Sequence, residues 1–170
     1  MTAKTYAVMN GAAPGAAAAV PITTSTVVKT MMQLATNTTT PPIRFVEWWA
    51  EFDGSTAATP IRVELLRHTG GAQTTLTAYA SADIARVNDP NAPTSSIQLG
   101  TALSGFINTT TEVTPTGAVS LETHFVPPTS GIYVQFPLGR EPEVQVSAFA
   151  RVRTTAGAAV NCYAGLMWEE

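Results

Sequence analysis

The chain has 170 residues and a mass of 17.8 kDa, the size of one domain and too short for two comfortable ones. Asp, Glu, Lys and Arg make up 12% of it, about half the usual globular share of roughly 25%, and the net charge of −3 comes with nine unclustered basic residues, so the footprint of a nucleic-acid binder is missing. One cysteine, Cys162, excludes an intramolecular disulfide and a multi-cysteine zinc site, and no apolar run approaches the roughly 18 residues of a membrane span.

Twelve Gly and twelve Pro in an Ala- and Thr-rich chain predict short strands and turns rather than a helical bundle. Residues 1–22 are small, Gly- and Pro-interrupted and nearly uncharged. They read as an extended N-terminal arm whose anchors, Tyr6, Val8, Met9, Val20 and Ile22, are held by a neighbouring surface. The Ala run between residues 12 and 20 is broken by Pro14 and Gly15 and is a poor secretion signal.

Residues 23–170 read as a single β-sandwich domain. The first strand falls at residues 26–35 and ends at a polar run and Pro41-Pro42. Residues 43–52 are ambiguous, since Phe45, Trp48, Trp49 and Phe52 fit helical spacing while Val46, Trp48, Ala50 and Phe52 fit one face of a strand. Their length and the Asp53-Gly54 that follows favour a strand. Ile61, Val63 and Leu65 alternate with Arg62 and Glu64 up to the Gly70-Gly71 turn, and residues 74–79 form another strand. Residues 81–87 allow one helical turn, 97–106 are weakly patterned, and 108–117 are a Thr-rich loop.

Alternation returns later in the chain. Val119, Leu121, Thr123 and Phe125 share a face, as do Ile132, Val134 and Phe136. Val144 to Val152 and Ala158 to Trp168 are two strongly patterned strands, read as a hairpin closed by the polar residues 154–157. The total of eight to nine strands predicts an all-β, jelly-roll-like sandwich. The immunoglobulin alternative lacks its Cys, Trp and Cys spacing.

No constellation for chemistry emerges. His68 and His124 stand at polar positions near strand ends without the His-x-His of a cupin-type metal site, and they read as exposed turn or interface histidines. Cys162 alternates with Val160 and Ala164 and reads as a buried, inert thiol. Glu47 and Glu51 project from one strand face about 13 Å apart, too far for either hydrolytic geometry. Glu141 and Glu143 form a chance loop pair, and phosphate loops are absent. The sequons at Asn37 and Asn108 are expected by chance in a Thr-rich chain. The reading is therefore no enzyme, no cofactor and no metal. Trp48 and Trp49 must face opposite sides of a strand. Trp48 belongs to the core, and Trp49 faces outward as a partner anchor, a glycan platform or a residue covered by its own chain.

The segments PIRFVEWWAEFDG, ATPIRVELLRHTGG, YVQFPLGREPEV and RVRTTAGAAVNCYAGLMWEE together resemble small β-sandwich structural proteins of tailed bacteriophages, the capsid decoration (cement) proteins above all. The resemblance spans residues 42–170 and implies a virion structural protein. It would sit on the capsid surface as a symmetric oligomer, most simply a homo-trimer, with the major capsid protein as partner and neither nucleic acid nor membrane. On it, Tyr6, Val8, Met9, Val20, Ile22 and Trp49 would contact capsid or a neighbouring subunit. Two alternatives stay open: a carbohydrate-binding module in which Trp49 and Tyr133 or Tyr163 stack on sugar rings, and a tail or fibre component.

Overall fold

Alternating apolar and polar side chains, punctuated by Pro and Gly, give strands and, among the described residues, a single short 3-10 turn. The computed structural model describes residues 3–11, 19–39, 42–54, 59–108 and 111–170. Among them run thirteen strands: β1 (Thr5–Met9), β2 (Ile22–Thr23), β3 (Lys29–Ala35), β4 (Ile43–Phe52), β5 (Ile61–His68), β6 (Leu76–Ala78), β7 (Ala85–Arg86), β8 (Gly105–Asn108), β9 (Val119–Val126), β10 (Gly131–Gln135), β11 (Glu143–Val144), β12 (Phe149–Thr155) and β13 (Asn161–Glu169). Eight of these have five residues or more, which agrees with the number predicted. The 3-10 turn is Ser81–Asp83, inside the segment expected to hold one.

The strands form two antiparallel sheets packed face to face as a β-sandwich. Sheet A has the order β10-β4-β13-β1-β7, with β11 beside β10 on β4 and β2 beside β1 on β13; sheet B has the order β6-β8-β3-β12-β5-β9. Facing side chains from both sheets make one core: Tyr6, Val8, Phe45, Trp48, Leu166 and Trp168 from A meet Met32, Leu34, Val63, Leu65, Ala150 and Val152 from B, all buried. Truncating Trp48 or Trp168 to Ala would cost about 3–5 kcal/mol, the range for a large aromatic in a close-packed interior.

The fold corrects four expectations. The supposed arm supplies β1, which lies between β13 and β7 inside sheet A; Ile22 likewise pairs with Cys162. Alternating Tyr6 and Val8 bury better in the chain's own core than on a neighbour. Residues 12–18 of the segment lie outside the described residues. The terminal hairpin is not formed, because β12 belongs to sheet B and β13 to sheet A. Both strands carry an apolar face, and that face serves equally well from either side of one core. The run from Val144 to Val152 is also split. Val144 pairs with β4, Val146 is 39% exposed, and Ser147 at φ 56° breaks the strand before β12 begins. Finally, Val119, Leu121, Thr123 and Phe125 do not share a face: a bulge on β9 leaves Leu121 unpaired between Ser120 and Glu122, so that Val119, opposite Arg67, and Phe125, opposite Arg62, fall on opposite sides of the sheet, and they are 46% and 70% exposed.

Candidate functional site

The outer faces of the two sheets differ. That of sheet B is covered over its centre, around Arg151, by residues 69–75 and 111–117, while Phe125 on the edge strand β9 stays 70% exposed. Thr116 exchanges backbone hydrogen bonds with Gly70, and Gly71, at φ 70°, comes so near the Thr114 carbonyl that a Cβ would sit 2.2 Å from it. Arg151 is buried beneath these segments. It donates to Glu112 Oε1 at 2.8 Å, to the Gln33 side chain at 2.9 Å and to the Gly71 and Val113 carbonyls at 2.7 and 2.9 Å. The other oxygen of Glu112 accepts from the Thr30 backbone and hydroxyl, and Gln73 bonds both Gln33 and Thr30. This is a structural latch, and it escaped sequence reasoning because its members come one or two at a time from four separate segments.

The outer face of sheet A is open across its middle. Strand register sets Tyr133, Trp49, Gly165 and Met9 in one row across β10, β4, β13 and β1. The adjoining rows carry Gln135, Glu47, Met167 and Ala7 on one side and Gly131, Glu51 and Tyr163 on the other. Tyr133 is 60% exposed, while Trp49, Tyr163, Met9 and Met167 are half-buried. Trp49 lies across Gly165: a Cβ there would come within 2.0 Å of the indole ring, so only glycine lets the ring lie down on the sheet. The Tyr133 hydroxyl donates to Glu47, a bond that raises the phenol's pKa and fixes the ring beside Trp49.

Shallow hollows flank this aromatic ridge. One of about 460 Å³ is lined by Glu51, Phe52, Ser130, Gly131, Ile132 and Tyr133. Another of about 300 Å³ is lined by Ala7, Val8, Met9, Trp49, Ala82, Asp83 and Ala85. The result is an exposed aromatic and methionine surface edged by carboxylates.

The sequence-predicted site residues divide accordingly. Trp49 faces outward as expected and Met9 joins it. Tyr6, Val8 and Ile22 are 1%, 2% and 5% exposed and leave nothing for a partner. Val20 is 62% exposed but belongs to none of the rows on sheet A. The structure also brings Tyr133 and Tyr163 onto Trp49's face, which spacing alone did not reveal.

The histidines part company. His124, half-buried, pairs with Glu122 at 2.9 Å and lies 6.0 Å from the Trp48 ring. His68 is not exposed but 99% buried, stacked on Phe149 at 5.1 Å, with Nδ1 against the Gly70 carbonyl at 2.8 Å. Burial and the nearby Arg151 push its pKa down to about 4. Cys162 is fully buried and its thiol is pushed up to about 12 by desolvation. Among the described residues no group of three or more His, Cys, Asp or Glu is placed to hold a metal ion, and no helix is long and apolar enough to cross a membrane.

No protein-family model, curated protein or solved structure matches this chain.

Proposed function

We propose that this chain is a non-enzymatic structural protein that works by docking through the outer face of sheet A, and that its partner is the outside of a phage capsid, whose major capsid protein lattice it stabilises as a decoration protein. The observation that carries the docking role is the row of Tyr133, Trp49, Gly165 and Met9, an aromatic surface left open across the middle of its sheet, where the middle of the other sheet is covered by its own loops. Aromatic and Met side chains in the middle of a patch, with charge at its edge, are the composition of a protein interface. The resemblance of four segments to phage decoration proteins supports the capsid as that partner. Repetition over a lattice lets a modest interface per copy hold firmly through avidity.

Co-sedimentation with capsids of the phage that encodes the chain tests this. The wild-type chain pellets with the shell and saturates at a fixed copy number, and Trp49→Ala with Tyr133→Ala releases it. A wild-type chain that stays in the supernatant removes the capsid reading.

A second reading, a carbohydrate-binding module, draws support from one arrangement: Trp49, Tyr133 and Tyr163 share the face on which sugar rings would stack. A glycan array decides it. A hit lost in Trp49→Ala replaces the capsid reading, and a blank array eliminates the glycan.

A further inference from the structure

The segment after β10 forms a stiff corner. The Arg140 backbone N–H donates to the Pro137 carbonyl at 2.9 Å, and Gly139, at φ 81°, takes the left-handed position that such a turn requires. The Glu141 carboxylate accepts the backbone N–H groups of Glu141 and Gly139, and these bonds hold its pKa below the usual carboxylate range. The corner holds Leu138 out at 97% exposure, the highest of any large hydrophobic side chain among the described residues. Arg140 stands exposed beside it and, among the described residues, in no ion pair.

At the foot of this knob lies a hollow of about 350 Å³ whose apolar walls are Val46, Phe136, Pro137 and one side of Leu138 itself, with Glu141 and Glu169 among its lining. Val46 reaches it because β4 bulges between Phe45 and Glu47, which takes Val46 out of the inward-facing series. Arg44 lies 3.5 Å from Glu143 and faces Glu169 across the strands; it offsets part of the local negative charge, and a net acidic rim remains. Leu138 borders the hollow without filling it, as its exposure demonstrates.

An apolar knob with a cation beside it and an apolar hollow with carboxylates beside it are complementary in shape and charge, and one chain carries both. We propose that a second copy of this chain is the occupant: Leu138 of one copy seats in the hollow of the next, with Arg140 against the neighbour's Glu169 and Glu141. Because the turn already fixes the knob, little ordering cost opposes association. Knob and hollow adjoin, so a two-fold contact lets each copy both give and receive a Leu138, and such a self-complementary pair closes on itself. The proposal concerns the chain alone and rests on neither the capsid nor the glycan reading.

The test is the solution mass of the purified full chain by light scattering across a concentration series. Wild type reaches a whole multiple of 17.8 kDa. Leu138→Asp moves the association midpoint at least roughly tenfold to higher concentration, as expected for losing an interface anchor, while circular dichroism and Tm stay unchanged because the side chain touches little of its own fold. Arg140→Glu weakens association as well, and adding Glu169→Arg to it restores part of the loss. A monomer at every concentration, or an oligomer indifferent to both Leu138→Asp and Arg140→Glu, overturns the proposal.

Discussion

Arg151 and Glu112 meet at 2.8 Å with the arginine side chain fully buried, and through this contact a loop is tied to the middle strand of a sheet. Breaking a buried pair from one side strands the remaining charge. Arg151→Met is therefore expected to lower unfolding stability by about 3–5 kcal/mol, read from the urea midpoint. Adding Glu112→Gln should recover part of that loss, because the uncompensated carboxylate goes with it. A single variant as stable as wild type would mean that the latch contributes nothing.

Gly165 and Trp49 are coupled by contact. Gly165→Val is expected to lift the indole from the sheet and cost about 1–3 kcal/mol, the range for overpacking, with a shift in tryptophan emission. In a Trp49→Ala background the same change should cost much less, and the difference is their interaction energy. Equal costs in both backgrounds would show that the ring does not rest on Gly165 in solution.

His68 gives stability a pH dependence of known sign. Unfolded, it titrates near 6.5; folded, near 4. Between these values the unfolded chain binds more protons, so stability falls as pH drops from about 6.5 toward 4 and its contribution levels off below, for a loss of at most about 3 kcal/mol. Guanidinium midpoints between pH 7 and 5 should slope more steeply for wild type than for His68→Phe, which cannot titrate. Parallel slopes would contradict the buried neutral imidazole.

Cys162, buried with its thiol pushed up to about 12, should not react with a disulfide reagent at pH 8 until the fold opens. Labelling of the native chain at the speed of a free thiol would place the residue elsewhere.

These cases show which parts of the structure were legible in the sequence. Alternation located β4, β5 and β13 and put Trp48 inside and Trp49 outside, since the strand period is a local property. The helix-like spacing of Phe45 and Trp48 has a local cause too: the bulge at Val46 resets the alternation, so two inward residues stand three apart. Sheet membership was not legible. The faces of β12 and β13 look alike from the chain, and only long-range pairing sends them to opposite sheets. His68 read as exposed because the ring that covers it, Phe149, reaches it only through the pairing of β12 with β5. The candidate face was half visible. Trp49 carried a signal, whereas Tyr133 and Tyr163 join it through register alone.

The placement of β13 also sets an order of events. It follows every other strand in sequence yet lies between β4 and β1, and the Asn10 side chain accepts from the Ala164 backbone N–H at a sequence separation of 154. Sheet A therefore cannot close until translation has passed residue 169, and until then β1 and β4 wait with unpaired edges and bare aromatic side chains. Such non-local closure makes folding slow, and a nascent chain paused before its last strand is the form of this protein most exposed to mispairing.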